Sequence, residues 1–284
     1  MSYDFGSPSP IQPLSLGNVV SAGLRLYRSH LKDYFLLALK AYVWLLVPVY
    51  GWAKFYALSA LISRLAFGEL VNQPESMTSA QRFVNSRLWQ FFVTMLLMFL
   101  LSVGIGVGAF ILFIIFGFLS SVLLGGIGQQ GNTSAYAVLS LLIIVVSIVG
   151  LVAVLWLLTR FFLVDVPLAI EDNVDGTSTI GRSWELTQGY FWRVFLILFV
   201  AFLITIPIQV IVQIITTIIQ LVFTSLLEQD SFVFRLIFFL LVMALSFVSG
   251  ALILPFWQTI KAVVYYDLRS RREGLGLKLR DHEI

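Results

Sequence analysis

The sequence predicts an all-α, polytopic membrane protein: a transmembrane helical bundle of about six membrane helices in three hairpins, each preceded by a cytosolic interfacial amphipathic helix. Three observations predict it. Charged residues are 12% of the 284 and hydrophobic ones 59%, against about 25% charged in a soluble globular domain. The apolar residues form continuous runs. From Phe91 to Thr159, about 69 residues pass without a charged side chain, room for two spans of roughly 20 residues each. Backbone groups in a bilayer find no water, so such spans are helices or closed barrels. Barrel strands alternate apolar and polar; ILFIIFGFL and LLIIVVSIVGLVAVLWLL do not. The chain has no cysteine, which excludes disulfides, thiolate chemistry and cysteine metal sites.

Residues 1–13, MSYDFGSPSPIQP, are rich in Pro and Ser, lack an apolar run and read as a short disordered cytosolic tail. A single membrane domain follows over 14–268, then a basic cytosolic tail over 269–284. From Ser15 to Lys32, the residues Leu16, Val19, Val20, Gly23, Leu24, Tyr27 and Leu31 keep one-face helical spacing. Arg25, Arg28 and Lys32 flank that face. Such a helix lies in the interface with its cations near anionic headgroups, or packs on the bundle; the two are compatible.

Residues 34–70 are apolar but carry Lys40, Lys54 and a break at Pro48-Val49-Tyr50-Gly51. They read as a hairpin of two short arms, a re-entrant loop or one long helix. Phe91 to Leu119 and Tyr136 to Leu158 form the second pair, around the loop from Gly125 to Ser134. Tyr190 to Phe223 and Phe232 to Ile260 form the third, around a loop with Glu228 and Asp230. Pro207 and Pro255 are expected to kink their helices.

An internal repeat supports three units, 14–73, 74–174 and 175–268. Arg64, Phe67, Glu69 and Glu75 align without gaps to Arg160, Leu163, Asp165 and Glu171, and Pro48, Lys54 and Arg64 match Pro255, Lys261 and Arg271 in spacing. The stretch from Arg160 to Arg193 is the clearest copy of the junction: an Arg at the exit of a span, an acidic turn, a short helix stopped near Gly189, then Tyr190, Phe191 and Trp192 at re-entry. With six helices, Arg25, Arg28, Lys32, Arg64, Arg82, Arg87, Arg160, Arg182, Arg193, Lys261, Arg269, Arg271, Arg272, Lys278 and Arg280 fall on one side, and Arg235 is the exception. The positive-inside rule makes that side cytosolic, with both termini there.

Several polar groups lie within apolar sequence. Thr205, Gln209, Gln213, Thr216 and Gln220 fall on one helix face. Such residues ordinarily hydrogen-bond between helices; the sharper reading is a polar path through the membrane. Lys40 and Lys54 would snorkel to headgroups or hold an anion or a proton. Gly104 with Gly108, and Ser246 with Gly250, allow close helix approach, inside the chain or in a homodimer. Asp165, Glu171, Asp172 and Asp175 match no calcium loop and read as a solvated connector. His30 and His282 lack metal-ligand spacing, and no phosphate loop, HExxH or GxSxG is present. Catalytic, metal and cofactor residues are therefore expected to be none.

Three stretches together, LSLGNVVSAGLRLYRSHLKDYFLL, GRSWELTQGYFWRVFLILF and VVYYDLRSRREGLGLKL, resemble the glycerophosphoryl diester phosphodiesterase membrane-domain family. Its members are multi-helix bacterial membrane proteins, mostly uncharacterised. The match covers nearly the whole chain and is strongest in the last two stretches. The sequence ends about ten residues after Gly274, and the resemblance implies a membrane module without the phosphodiesterase activity and supplies no catalytic residue. It also implies a bacterial inner membrane.

The expected function is a non-catalytic integral membrane protein that organises lipid or a membrane partner at the cytosolic surface. Anionic headgroups would meet Arg25, Arg28, Lys32, Arg182, Arg193, Arg269, Arg271 and Arg272. A homo-oligomer is compatible with this, and the basic tail is too short for a nucleic-acid module. The alternative is a transporter or channel for a small solute or lipid, using the Thr205 to Gln220 face.

Overall fold

The computed structural model describes residues 15–128, 133–227 and 232–274. All regular structure among them is helical, in ten helices. The disordered tail expected at 1–13, most of the loop after Gly128, the loop with Glu228 and Asp230, and the chain after Gly274 lie outside the described residues.

The chain opens with α1 (Leu16–Ser29), started by Ser15, whose hydroxyl accepts from the Asn18 amide. A single helix to Lys32 was expected. It breaks at His30, where α2 (Leu31–Trp44) starts. The turn expected near Pro48 separates α2 from α3 (Tyr50–Leu70). That turn is tight. Val49 has φ 62, rare for a β-branched residue, and a side chain at Gly51 would strike the Trp44 carbonyl. Next come α4 (Met77–Ser86), capped by the Ser76 hydroxyl, and the long α5 (Leu88–Gly128). The return helix α6 (Thr133–Arg160) is followed by two short helices, α7 (Asp165–Ile170) and α8 (Ser178–Thr187). Gly189, at φ 84, turns the chain from α8 into α9 (Phe191–Leu227), a backbone geometry that glycine adopts without strain.

The last helix, α10 (Phe232–Glu273), runs thirteen residues past the expected end at Ile260. The first part of the predicted basic tail thus continues a helix. The cause is packing: Ala262, Val263, Val264, Tyr265 and Leu268 are all buried, and α10 packs on α1, α2, α3 and α9. Pro207 and Pro255 lie inside α9 and α10 without ending them.

Among the described residues, four helices are long and apolar enough to cross a membrane, through the segments Leu88–Phe118, Ser140–Ile170, Phe191–Phe223 and Phe232–Glu273. The sequence predicts about six. The difference lies in the first pair. With 14 residues, α2 is about 21 Å long at 1.5 Å per residue, short of the ~30 Å hydrocarbon layer. α3 is longer, but Ala57 to Ser63 are buried by protein on every side.

Two apolar cores form at the same end of the molecule. One gathers Val19, Val20, Leu163, Leu186, Ile197, Ile260 and Leu268. The other gathers Tyr34, Leu58, Leu61, Val84, Phe91 and Leu168. Away from this end the long helices are bare: Phe110, Phe113 and Phe118 of α5, Val149 of α6 and Leu221 of α9 are all more than 60% exposed. Close packing does extend up α10 at Gly250, where an added Cβ would lie 2.3 Å from Tyr42 Cζ. The small residue of the Ser246–Gly250 pair therefore admits α2. Gly104 and Gly108 meet nothing within 4 Å.

Candidate functional site

Polar chemistry concentrates at the packed end, built around the short α7. Six residues cannot satisfy their own C-terminal carbonyls, and two arginines reach in to do so. Arg64 of α3 donates to the Ala169 carbonyl at 2.8 Å. Arg87, just before α5, donates to the carbonyls of Leu168, Glu171 and Val174 at 3.2, 2.7 and 3.2 Å, and to that of Asp172. Cations there also complement the negative end of the helix dipole. Both guanidiniums stack on Phe83 of α4, at 3.8 and 4.6 Å. Arg64 is paired as well with Glu75 at 2.6 Å. Burial alone would raise the Glu75 pKa, but hydrogen bonds from Arg64 and Ser79 hold it below the usual carboxylate value.

The α7 N-terminus carries Asp165, only 1% exposed. Lys261 of α10 binds both its oxygens, at 2.8 and 2.9 Å, and Gln258 donates to it at 3.0 Å. Ser63 of α3 donates to the Gln258 side-chain oxygen, so one polar chain links α3, α10 and α7. The solvated acidic connector expected from sequence is therefore corrected: Asp165 is a buried, paired charge. Glu171 is also engaged, accepting from Arg182 at 3.0 Å and from the Tyr265 hydroxyl at 2.6 Å. Arg182 further pairs with Glu273, which Arg269 binds at 2.9 Å. Burial works against the Arg182 charge, yet its bonds to Glu171 and Glu273 outweigh that and raise its pKa. Asp175 stays at the surface. The Ser178 amide, then the Thr177 hydroxyl and amide, bond to its carboxylate, hold its pKa well below the usual range and open α8.

The predicted headgroup cations divide into two groups. Arg25, Arg28 and Lys32 are exposed, and Arg25 and Arg28 line a shallow depression with Ser21, Leu24 and Ser29. Arg182, Arg193, Arg269 and Arg271 are turned to carboxylates of the same chain. Arg193 and Arg271 share Asp267, at 2.8 and 3.2 Å. Arg272 is exposed and donates to the Gln188 carbonyl at 2.6 Å.

The predicted polar face of α9 does not converge on a centre. Thr205 is buried and bonds back to the Phe202 carbonyl; Gln209 donates to Thr205 at 3.3 Å. Thr216 bonds to the Val212 carbonyl, and Gln209, Gln213 and Gln220 face outward. Lys54 is buried and donates to Asn85 of α4 at 2.7 Å, while Lys40 is exposed.

Sequence reasoning did not single out Arg160 as a site residue. It is buried at the end of α6, between Trp156 and Trp184, with its Nε and Nη1 lacking any hydrogen-bond partner. Half the signal was legible, since Trp156 and Arg160 are four apart on one helix face. Trp184 and Arg272 arrive only through the fold. Among the described residues no group of acidic and histidine side chains has the arrangement to hold a metal ion. Comparison with protein-family models, curated proteins and solved structures finds no match to this chain.

Proposed function

We propose that this chain is a non-catalytic integral membrane protein whose packed, charged end organises anionic lipid headgroups, or a membrane partner, at the cytosolic surface. The observation that supports this best is the split among its cations. Most arginines at that end are used internally, while Arg25, Arg28 and Lys32 stand exposed along α1 and α2 beside the four long apolar helices. Exposed cations beside a bilayer attract anionic lipid, by about 1 kcal/mol each near the surface. The one-sided placement of positive charge supports a cytosolic position for this end and for both termini. The resemblance to a bacterial membrane-domain family points to the inner membrane.

The α2–α3 pair completes the reading as a third hairpin that enters the bilayer from the cytosolic side and turns back. Its tip exposes Leu46, Val47, Val49, Tyr50 and Trp52, an apolar surface that suits hydrocarbon. Tyr42, near the tip, packs on Phe247 of α10, about 22 Å along that helix from Phe232 at 1.5 Å per residue.

Lipid retention by the purified full chain tests the proposal. Exchanged into vesicles of mixed phosphatidylcholine and phosphatidylglycerol, the protein should enrich phosphatidylglycerol around itself, and Arg25→Gln with Arg28→Gln should reduce that enrichment. A lipid shell matching the bulk, unchanged by the double variant, contradicts it.

A further inference from the structure

Arg160 follows directly on the uncharged run that fills α6, so it sits where hydrocarbon gives way to headgroups. It is only 9% exposed. Its guanidinium carbon lies 5.2 Å from the Trp156 ring centroid and 5.0 Å from that of Trp184. The two indoles meet edge to face. The Ser183 hydroxyl donates to the Arg160 carbonyl at 2.8 Å and clamps α8 onto the end of α6. This holds the arginine in place without neutralising it, because Nε and Nη1 remain buried without partners. A second cation is held at the same helix. Arg272 donates to the Gln188 carbonyl at the end of α8, one turn on from Trp184.

Neighbouring arginines show what this one lacks. Arg64 has Glu75, Arg182 has Glu171 and Glu273, and Arg193 has Asp267. Stacking on indole rings offsets part of the desolvation of a guanidinium, but not the loss of two hydrogen bonds from a charged group. The missing partner must carry negative charge and offer two acceptor oxygens to a planar fork. A phosphate group has both.

We propose that Arg160 and Arg272, walled by Trp156 and Trp184, form a binding site for one phosphate group, supplied by the headgroup of an anionic phospholipid or by free phosphate. This rests on the lipid-organising reading and narrows it to one headgroup at one place. Two cations favour a headgroup with net negative charge over a zwitterionic one, whose own cation would be repelled.

The test is native mass spectrometry of the full chain in detergent. It is titrated with short-chain phosphatidylglycerol, with short-chain phosphatidylcholine and with inorganic phosphate. The wild-type chain should take up one phosphatidylglycerol ahead of phosphatidylcholine. Arg160→Lys, which keeps the charge and loses the fork, should weaken this on the order of tenfold. Arg272→Gln, which removes the second charge at an exposed position, should weaken it about fivefold. Displacement of the lipid by inorganic phosphate assigns the site to the phosphate group as such; retention against it assigns the site to the lipid headgroup. A phosphatidylglycerol preference that neither variant changes overturns the site and leaves the lipid-organising reading standing. Arg160-dependent uptake of inorganic phosphate without any lipid preference keeps the site and removes that reading. Uptake of neither ligand overturns both.

Discussion

The two ends of the long helices are made of similar apolar residues and behave in opposite ways. At the charged end, Leu58, Leu61, Phe91 and Leu268 are fully enclosed by protein. In the far halves, Phe113, Phe118, Leu221 and Phe232 stand open. Polar groups follow the same division: Asp165, Glu171, Asp267 and Glu273 hold arginines and a lysine across four helices at one end. A bilayer around the far halves and water at the charged end, as proposed, would produce this difference. Facing lipid, apolar surface gains little by burial against another helix, and association relies on close packing and interhelical hydrogen bonds. Beside water, the hydrophobic effect applies and a core forms. The charged end therefore carries the specific tertiary structure, and on the proposed reading the far halves would face lipid.

The largest effect should come from breaking a buried ion pair. Asp165→Ala strands Lys261 in its partly buried site and should cost about 3 kcal/mol, read as a drop in midpoint in denaturant titrations of the protein in micelles. A cavity comes next: Leu61→Ala, fully buried, should cost about 3 kcal/mol or slightly less. Phe113→Ala, 74% exposed, should cost less than about 0.5 kcal/mol. Equal costs for these two would erase the distinction between the ends.

A smaller effect is expected from pH. The folded Glu75 pKa is depressed, so its stabilisation is present above the ordinary carboxylate range and fades as pH falls through the lowered value. Glu75→Gln should cost about 1 kcal/mol at neutral pH, and the gap from wild type should shrink in acid. A gap that does not change with pH would remove Arg64–Glu75 as a stabilising pair. Gln209→Leu with Gln213→Leu, on the outward face of α9, should change stability by about 0.5 kcal/mol or less. A large loss would show that this face is covered by another chain.

Much of this division was legible in the sequence. The uncharged run from Phe91 to Thr159 marks helices long and apolar enough to cross a membrane, because composition reports the solvent a segment suits. The break before Tyr50 and the turn at Gly189 were legible from Pro and Gly. The length of α10 was not. Lys261, Asp267, Arg269 and Arg271 signal departure from hydrocarbon, which says nothing about whether the helix continues, and packing on α1 and α3 decides that it does. The candidate site was half legible for a related reason. Sequence shows a cation but not its partner when the two lie far apart, as with Arg182 and Glu273, or Arg193 and Asp267. The lack of a partner for the Arg160 Nε and Nη1 is equally invisible until the fold brings up Trp184 and Arg272.

The central claim is that the two ends sit in different solvents. The chain has no cysteine, so single nitroxide labels can be placed freely at Phe113 in a far half, at Leu46 on the hairpin tip and at Asn173 on the charged end, all exposed in the protein. In bilayer nanodiscs, relaxation by oxygen, which partitions into lipid, is compared with relaxation by a water-soluble nickel complex. Oxygen-dominated relaxation is expected at Phe113 and Leu46, and nickel-dominated relaxation at Asn173. Nickel access at Phe113 equal to that at Asn173 would contradict it.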